Sequence, residues 1–500
     1  MKKNREQSQP FCHEGHRRPV TRRDFLAQGL IAGSGIVLAP SLFGLLRKSD
    51  AAFAQTMECV LTGGAGRIPF LCIDLAGGAS VAGSNVMVGG PGGQLDFLPA
   101  VGYEKLGLPD TMLPSLPGQL NTELGLAFHA DSAFLRGILS KTSAATRANI
   151  NGTVLCARSE NDTANNPHNP MYGIAKAGAS GDLVTLIGSD SSESGGNSVA
   201  PMSMIDPSIR PTKVDRPRDV TGMVDTGRLV QLLDADDAGA VMRTVERISD
   251  LKLAKMSEDA IVESLIQCGY LQSTRLVEQF GNPSLLDPLL DQDITGQATS
   301  IFSAAEITQG NTLKTASVMK LVVNGLAGAG TIEFGGYDYH DSTRATGEVR
   351  DFAAGVAMGA VLEYAARRGR QLMLYVFSDG SLDSDGAIDN SANGRGKGVW
   401  KGDDSQTAAT FILVYDPAGR PQLTRPTAGQ IGWFRPSGSL ETSASRVSNN
   451  VEQLVQAVVL NYLALHGEAG RLNLVLPGHN LGGSAAELDA LTAFQPIRTA

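Results

Sequence analysis

Cysteine is scarce in this chain. Five occur in 500 residues, with no C-x-x-C pair and no thiolate cluster, which excludes a structural zinc site of the finger or ribbon kind. Aromatic residues make up only 5%, and no basic stripe interleaves with them, so nucleic-acid binding lacks its electrostatic footprint. There is no G-x-S-x-G elbow, no phosphate-binding P-loop and no dinucleotide fingerprint, which leaves lipase, P-loop nucleotidase and dehydrogenase readings without local support. Long hydrophobic runs are also few. The one near the start, in "VTRRDFLAQGLIAGSGIVLAPSLFGLL", carries four glycines and a proline and stops at Arg47 and Lys48, a poor permanent membrane anchor.

That segment follows the arginine pair Arg22 and Arg23 and ends at "AAFA", where Ala52 and Ala54 supply a small-x-small cleavage site. Residues 1–54 therefore read as a twin-arginine signal peptide, with the export machinery as a partner and a periplasmic or secreted destination. Its removal leaves 33 Lys and Arg against 47 Asp and Glu, a net charge of −14. Residues 55–500 are long enough for one large α/β domain, with a helical insertion around 239–281 where apolar residues recur three and four apart. Cys59, Cys72, Cys156 and Cys268 remain, enough for one or two disulfides that spacing does not assign.

"RIPFLCIDLAGGAS" (67–80) reads as a buried strand closed by a glycine turn, "GDLVTLIG" (181–188) as another. Residues 81–125 read as irregular. Further on, "ASVMKLVVNGLAGAG" reads as a helix, "TIEF" as a strand, "RDFAAGVAMGAVLEYAARRG" as a helix, and "QLMLYVFSDG" and "TAATFILVYD" as strands, with Ser378–Gly398 as a loop. Helices alternating with short apolar strands predict a mostly parallel sheet sandwiched by helices. Ligands collect at the carboxyl ends of such strands, which is where Asp74, Asp338 with His340, and Asp379 are expected.

Carboxylates and a neutral imidazole suit a divalent metal, zinc, manganese or calcium, that could activate water and polarise a phosphate or sulfate ester. The motif "TIEFGGYDYHDST" admits a second reading, in which Asp338 and His340 only cap the following helix. Ser80 reads either as a nucleophile beside the glycine turn or as a turn serine. His168 reads as a residue reaching the crevice or as an exposed loop histidine, and His129 and His466 as structural.

"TRRDFL", the first strand with "GGAS", "NPHNPMYGIAKAGASGDLVTLIG", and "GGYDYH" followed by a helix and "LYVFSDG" resemble, in that order, a family of secreted bacterial proteins called domain of unknown function 1501. The resemblance implies an alkaline phosphatase-like or sulfatase-like fold and one or two metal ions. It aligns Ser80 with the family's GG-x-S serine and Tyr337–His340 with its W-D-T-H motif. It also places a late metal histidine near the end of the chain, where His479 stands. Two departures are visible. Where the family has Glu-Phe-Gly-Arg, this chain reads Ser378, Asp379, Gly380 and Ser381; where it has an Asp-His pair, this chain reads Asp403 and Asp404 without a histidine. No Cys-x-Pro-x-Arg or Ser-x-Pro-x-Arg occurs, so sulfatase chemistry with a modified nucleophile is disfavoured. The implied function is an exported, metal-dependent hydrolase of small-molecule or polymer esters; the alternative is a non-catalytic relative serving as a periplasmic or cell-surface binding protein.

Overall fold

A computed structural model describes residues 66–160, 167–191, 200–223 and 286–498, with four helical positions at 240, 243, 244 and 247. Residues 1–54, read above as a signal peptide, and nearly all of the helical pattern at 239–281 lie outside the described residues. The chain divides into two units, 62–223 with 283–500, and 1–61 with 224–282. The strands, the helices named below and the candidate site all belong to the first.

Among the described residues there are twelve strands, β1 (Phe70–Ala76), β2 (Leu120–Asn121), β3 (Phe128–His129), β4 (Ile150–Leu155), β5 (Val184–Gly188), β6 (Thr212–Lys213), β7 (Ala327–Gly335), β8 (Leu372–Ser378), β9 (Leu382–Asp389), β10 (Lys397–Asp403), β11 (Thr410–Tyr415) and β12 (Gln430–Ile431). Eight form one sheet in the order β12-β4-β11-β8-β1-β7-β5-β6. All run parallel except β11, which is antiparallel to both β4 and β8. This is the mostly parallel α/β sheet expected. β1 at its centre is buried at every position, as a strand covered on both faces must be.

The helices that matter to the site and its support are α1 (Ala133–Lys141), α2 (Met171–Lys176), α3 (Gly310–Val323), α4 (Ala345–Arg367) and α5 (Val451–Leu465). α2 and α5 pack on the face bearing Phe70, Cys72, Tyr375 and Phe377. α3 lies against β7, where a side chain at Gly330 would meet Val322 at 2.5 Å.

That contact explains one difference from expectation. "LAGAG" reads as a helix end, yet Ala327–Gly330 belong to β7, because small residues let the covering helix approach the strand closely. β4 and α5 gave no recognised signal. The segment after Asp379, expected as a loop, contains the antiparallel hairpin β9–β10; its run of Ser, Asp and Gly masks strands that make no apolar stripe. Cys72 and Cys156 are buried free thiols, not disulfide partners.

Candidate metal centre

The chain leaves β7 at Gly335 and turns with Tyr337 N–H donating to the Ala76 carbonyl, 3.1 Å away, at the end of β1. From there side chains alternate. Tyr337 and Tyr339 are buried, while Asp338 and His340 face outward. The tyrosines are anchored by their hydroxyls: Tyr337 donates to the Arg350 carbonyl (2.7 Å) and Tyr339 to Asp351 Oδ1 (2.9 Å). The Tyr339 oxygen also accepts the Ser80 N–H at 3.0 Å. Two buried rings thus fix the backbone from which Asp338 and His340 project.

His340 Nδ1 contacts Asp338 Oδ1, and its Nε2 lies 3.7 Å from Asp403 Oδ2 at the end of β10. One ligand atom from each of the three residues lies within 4.8 Å of the others. Two carboxylates with one imidazole match the hard, borderline donor set of a divalent cation. The helix-capping alternative is not what is observed. The free N–H groups opening α4, those of Arg344 and Ala345, donate to Asp389 Oδ2, each at 3.2 Å.

Asp74 and Asp379 are not members of this trio. The Gly77 N–H donates to Asp379 Oδ1 at 2.7 Å. On its other side a Cβ at Gly77 would lie 2.6 Å from the Asp338 nitrogen. Asp74 lies inside β1, in register with Glu333 on β7 and Phe377 on β8. Burial pushes its carboxyl well above the usual range, and the charges of Glu333 and Asp379 push the same way. Glu333 was not among the expected site residues, although a glutamate inside the otherwise apolar "TIEF" was a signal for it. Ser191 Oγ lies 2.7 Å from both Glu333 oxygens.

The remaining candidates are distributed unevenly. Ser80 is wholly buried, and among the described residues its Oγ has no hydrogen-bond partner. His168, read as crevice or exposed loop, is buried and stacks on Phe377 at 6.1 Å between ring centroids. His479 stands outside the metal trio; its Nδ1 accepts the Leu481 N–H at 3.3 Å, and burial lowers its pKa. His129 and His466, expected as structural, are both buried and hydrogen-bonded. The first lies between the Met112 carbonyl and the Asp131 N–H, the second accepts the Ile68 N–H; burial pushes both down to about 4. Asp403, which the sequence marked only as a departure from a family pattern, is the third member of the trio.

Fold and site together define an α/β protein whose candidate cation centre sits beyond the carboxyl end of β7. No protein-family model matches the chain, and no curated protein matches it.

Proposed function

We propose that this chain is an exported, metal-dependent hydrolase of phosphate or sulfate esters, with an alkaline phosphatase-like fold of the domain of unknown function 1501 kind. The observation that carries the reading is the convergence of Asp338, His340 and Asp403, one residue set drawn from two separate chain segments. The ordered motifs from "TRRDFL" to "LYVFSDG" support it, as does the mostly parallel sheet. Likeness of fold alone is compatible with many chemistries, so the weight falls on the site.

Asp338, His340 and Asp403 would hold zinc, manganese or calcium. Such an ion supplies Lewis acidity toward an ester oxygen and a lowered pKa for bound water. Because Ser80 Oγ is shut away from solvent, the attacking oxygen in this reading comes from water, not from the serine.

That same burial favours a second reading, a binding protein of the same fold that does no chemistry. Metal content by mass spectrometry on protein purified from the periplasm tests the first step. Wild type is expected to carry near-stoichiometric metal, an Asp338→Ala, His340→Ala double variant to carry none, and Asp403→Ala to bind more weakly through the two residues that remain. Folded wild type that takes up no zinc, manganese or calcium when offered each would sink the centre. Bound metal with no turnover across a panel of phosphate and sulfate esters would leave the binding-protein reading standing.

A further inference from the structure

Asp403 ends hairpin β9–β10, which is fastened to the segment after His340. The fastening has three layers. The first is backbone pairing, in which Ser342 N–H donates to the Trp400 carbonyl (3.1 Å) and Trp400 N–H to the Thr343 carbonyl (3.2 Å). The second is a stack: the Arg344 guanidinium lies over the Trp400 ring, 4.4 Å from its centroid. Third comes a buried ionic group. Arg344 donates to Glu348 Oε1 through Nε (3.0 Å) and Nη2 (2.9 Å), and Lys397 Nζ of β10 donates to the same oxygen at 2.8 Å.

Arg344 is fully buried, as is Trp400, and burying a guanidinium is costly unless its surroundings answer it. Here they answer both its edge and its flat face. Glu348 takes the hydrogen bonds; Arg344 and Lys397 hold its carboxyl below the usual range although burial pushes it up. The indole takes the flat face. Its Nε1–H has no partner among the described residues, a penalty that phenylalanine would avoid. A tryptophan there fits a demand for the ring that binds a guanidinium face most strongly.

Trp400 lies three residues before Asp403, and Arg344 four residues after His340. We infer that Arg344, acting through Trp400, is a positioning residue for the cation centre: the stack sets how far Asp403 stands from His340. This rests on the metal reading above. Neither Arg344 nor Trp400 touches the cation; each acts on the placement of one ligand.

The test is a double-mutant cycle on the full chain, with zinc and cobalt affinities from calorimetry and the visible absorption of bound cobalt. Arg344→Lys keeps the charge but loses the flat stack. Trp400→Phe keeps an apolar ring and serves if the lysine variant fails to fold. Either variant is expected to weaken zinc binding by about 10-fold or more, the range typical of lost ligand support, and to alter the cobalt spectrum. In an Asp403→Asn background the same substitutions are expected to change nothing further. Equal losses with and without Asp403, or unchanged affinity in both variants, would overturn the inference while leaving the centre intact. A wild type that binds neither zinc nor cobalt would remove the centre and the inference together.

Discussion

Asp351 shows how a single buried group ties the motif to pH. Its carboxylate accepts from Tyr339 at one oxygen and from Asn85 Nδ2, 2.8 Å away, at the other. Burial pushes it up to about 7; the charge of Glu348 adds to the rise, while Asn85, Arg344 and Tyr339 pull the other way. In the unfolded chain the same carboxyl ionises near about 4. The folded protein therefore holds the proton more tightly, so this contribution is fullest below about pH 4, declines as pH rises to about 7, and is flat above. Unfolding temperatures are expected to fall between pH 5 and 7.5 in wild type and to fall less in Asp351→Asn; parallel curves would show that the carboxyl does not titrate in this range. Ser80 offers a simpler check. Its hydroxyl is buried without a partner among the described residues, and such a group costs about 1–3 kcal/mol. Ser80→Ala is expected to melt at or above the wild-type temperature and, with water as attacking group, to keep any ester turnover. A lower melting point would mean that the hydroxyl is bonded after all.

At the scale of the element, α4 is opened from outside itself. Asp389, at the end of β9, caps the Arg344 and Ala345 N–H groups in place of a local side chain. Asp389→Ala is expected to lower stability by about 1 kcal/mol, the usual worth of a cap, measurable by urea unfolding; no change would show that water replaces it freely. The turn at Gly77 is stricter. With φ of +129° and Asp338 backbone 2.6 Å from where a Cβ would sit, Gly77→Ala has to move the Asp338–His340 segment. It is expected to lose metal binding before it loses the fold, and a variant with full metal content would contradict that.

These elements also differ in how legible they are from sequence. β1, β8, β11 and α4 announce themselves by apolar runs or helical spacing. Asp389 as a cap and Asp403 as a neighbour of His340 do not, because each acts across a gap in the chain that only the hairpin closes. Asp74 and Asp379 are expected as metal partners of His340 because both belong to the carboxyl end of the sheet. They do belong there, but the trio within reach of one ion is Asp338, His340 and Asp403, and Asp379 instead accepts the Gly77 N–H.

For the whole molecule, the thiols are a probe of integrity. Cys72 and Cys156 are fully buried and free, and burial pushes both thiols up. Iodoacetamide followed by peptide mass spectrometry is expected to leave both unmodified in native protein and to label both in denaturant. Labelling under native conditions would mean that the sheet opens there. No helix of the described residues is long and apolar enough to cross a membrane. The sheet order carries a last consequence. β1 is the first strand of the described chain, yet its neighbours are β7 and β8, so that Phe70 pairs with Ala329 on one side and Met373 on the other. During synthesis, the central strand must wait, apolar and without its pairing strands, until most of the polypeptide has left the ribosome. Nascent chains stalled before residue 372 should accordingly be held by chaperones and cut readily by protease, with resistance arriving late and all at once.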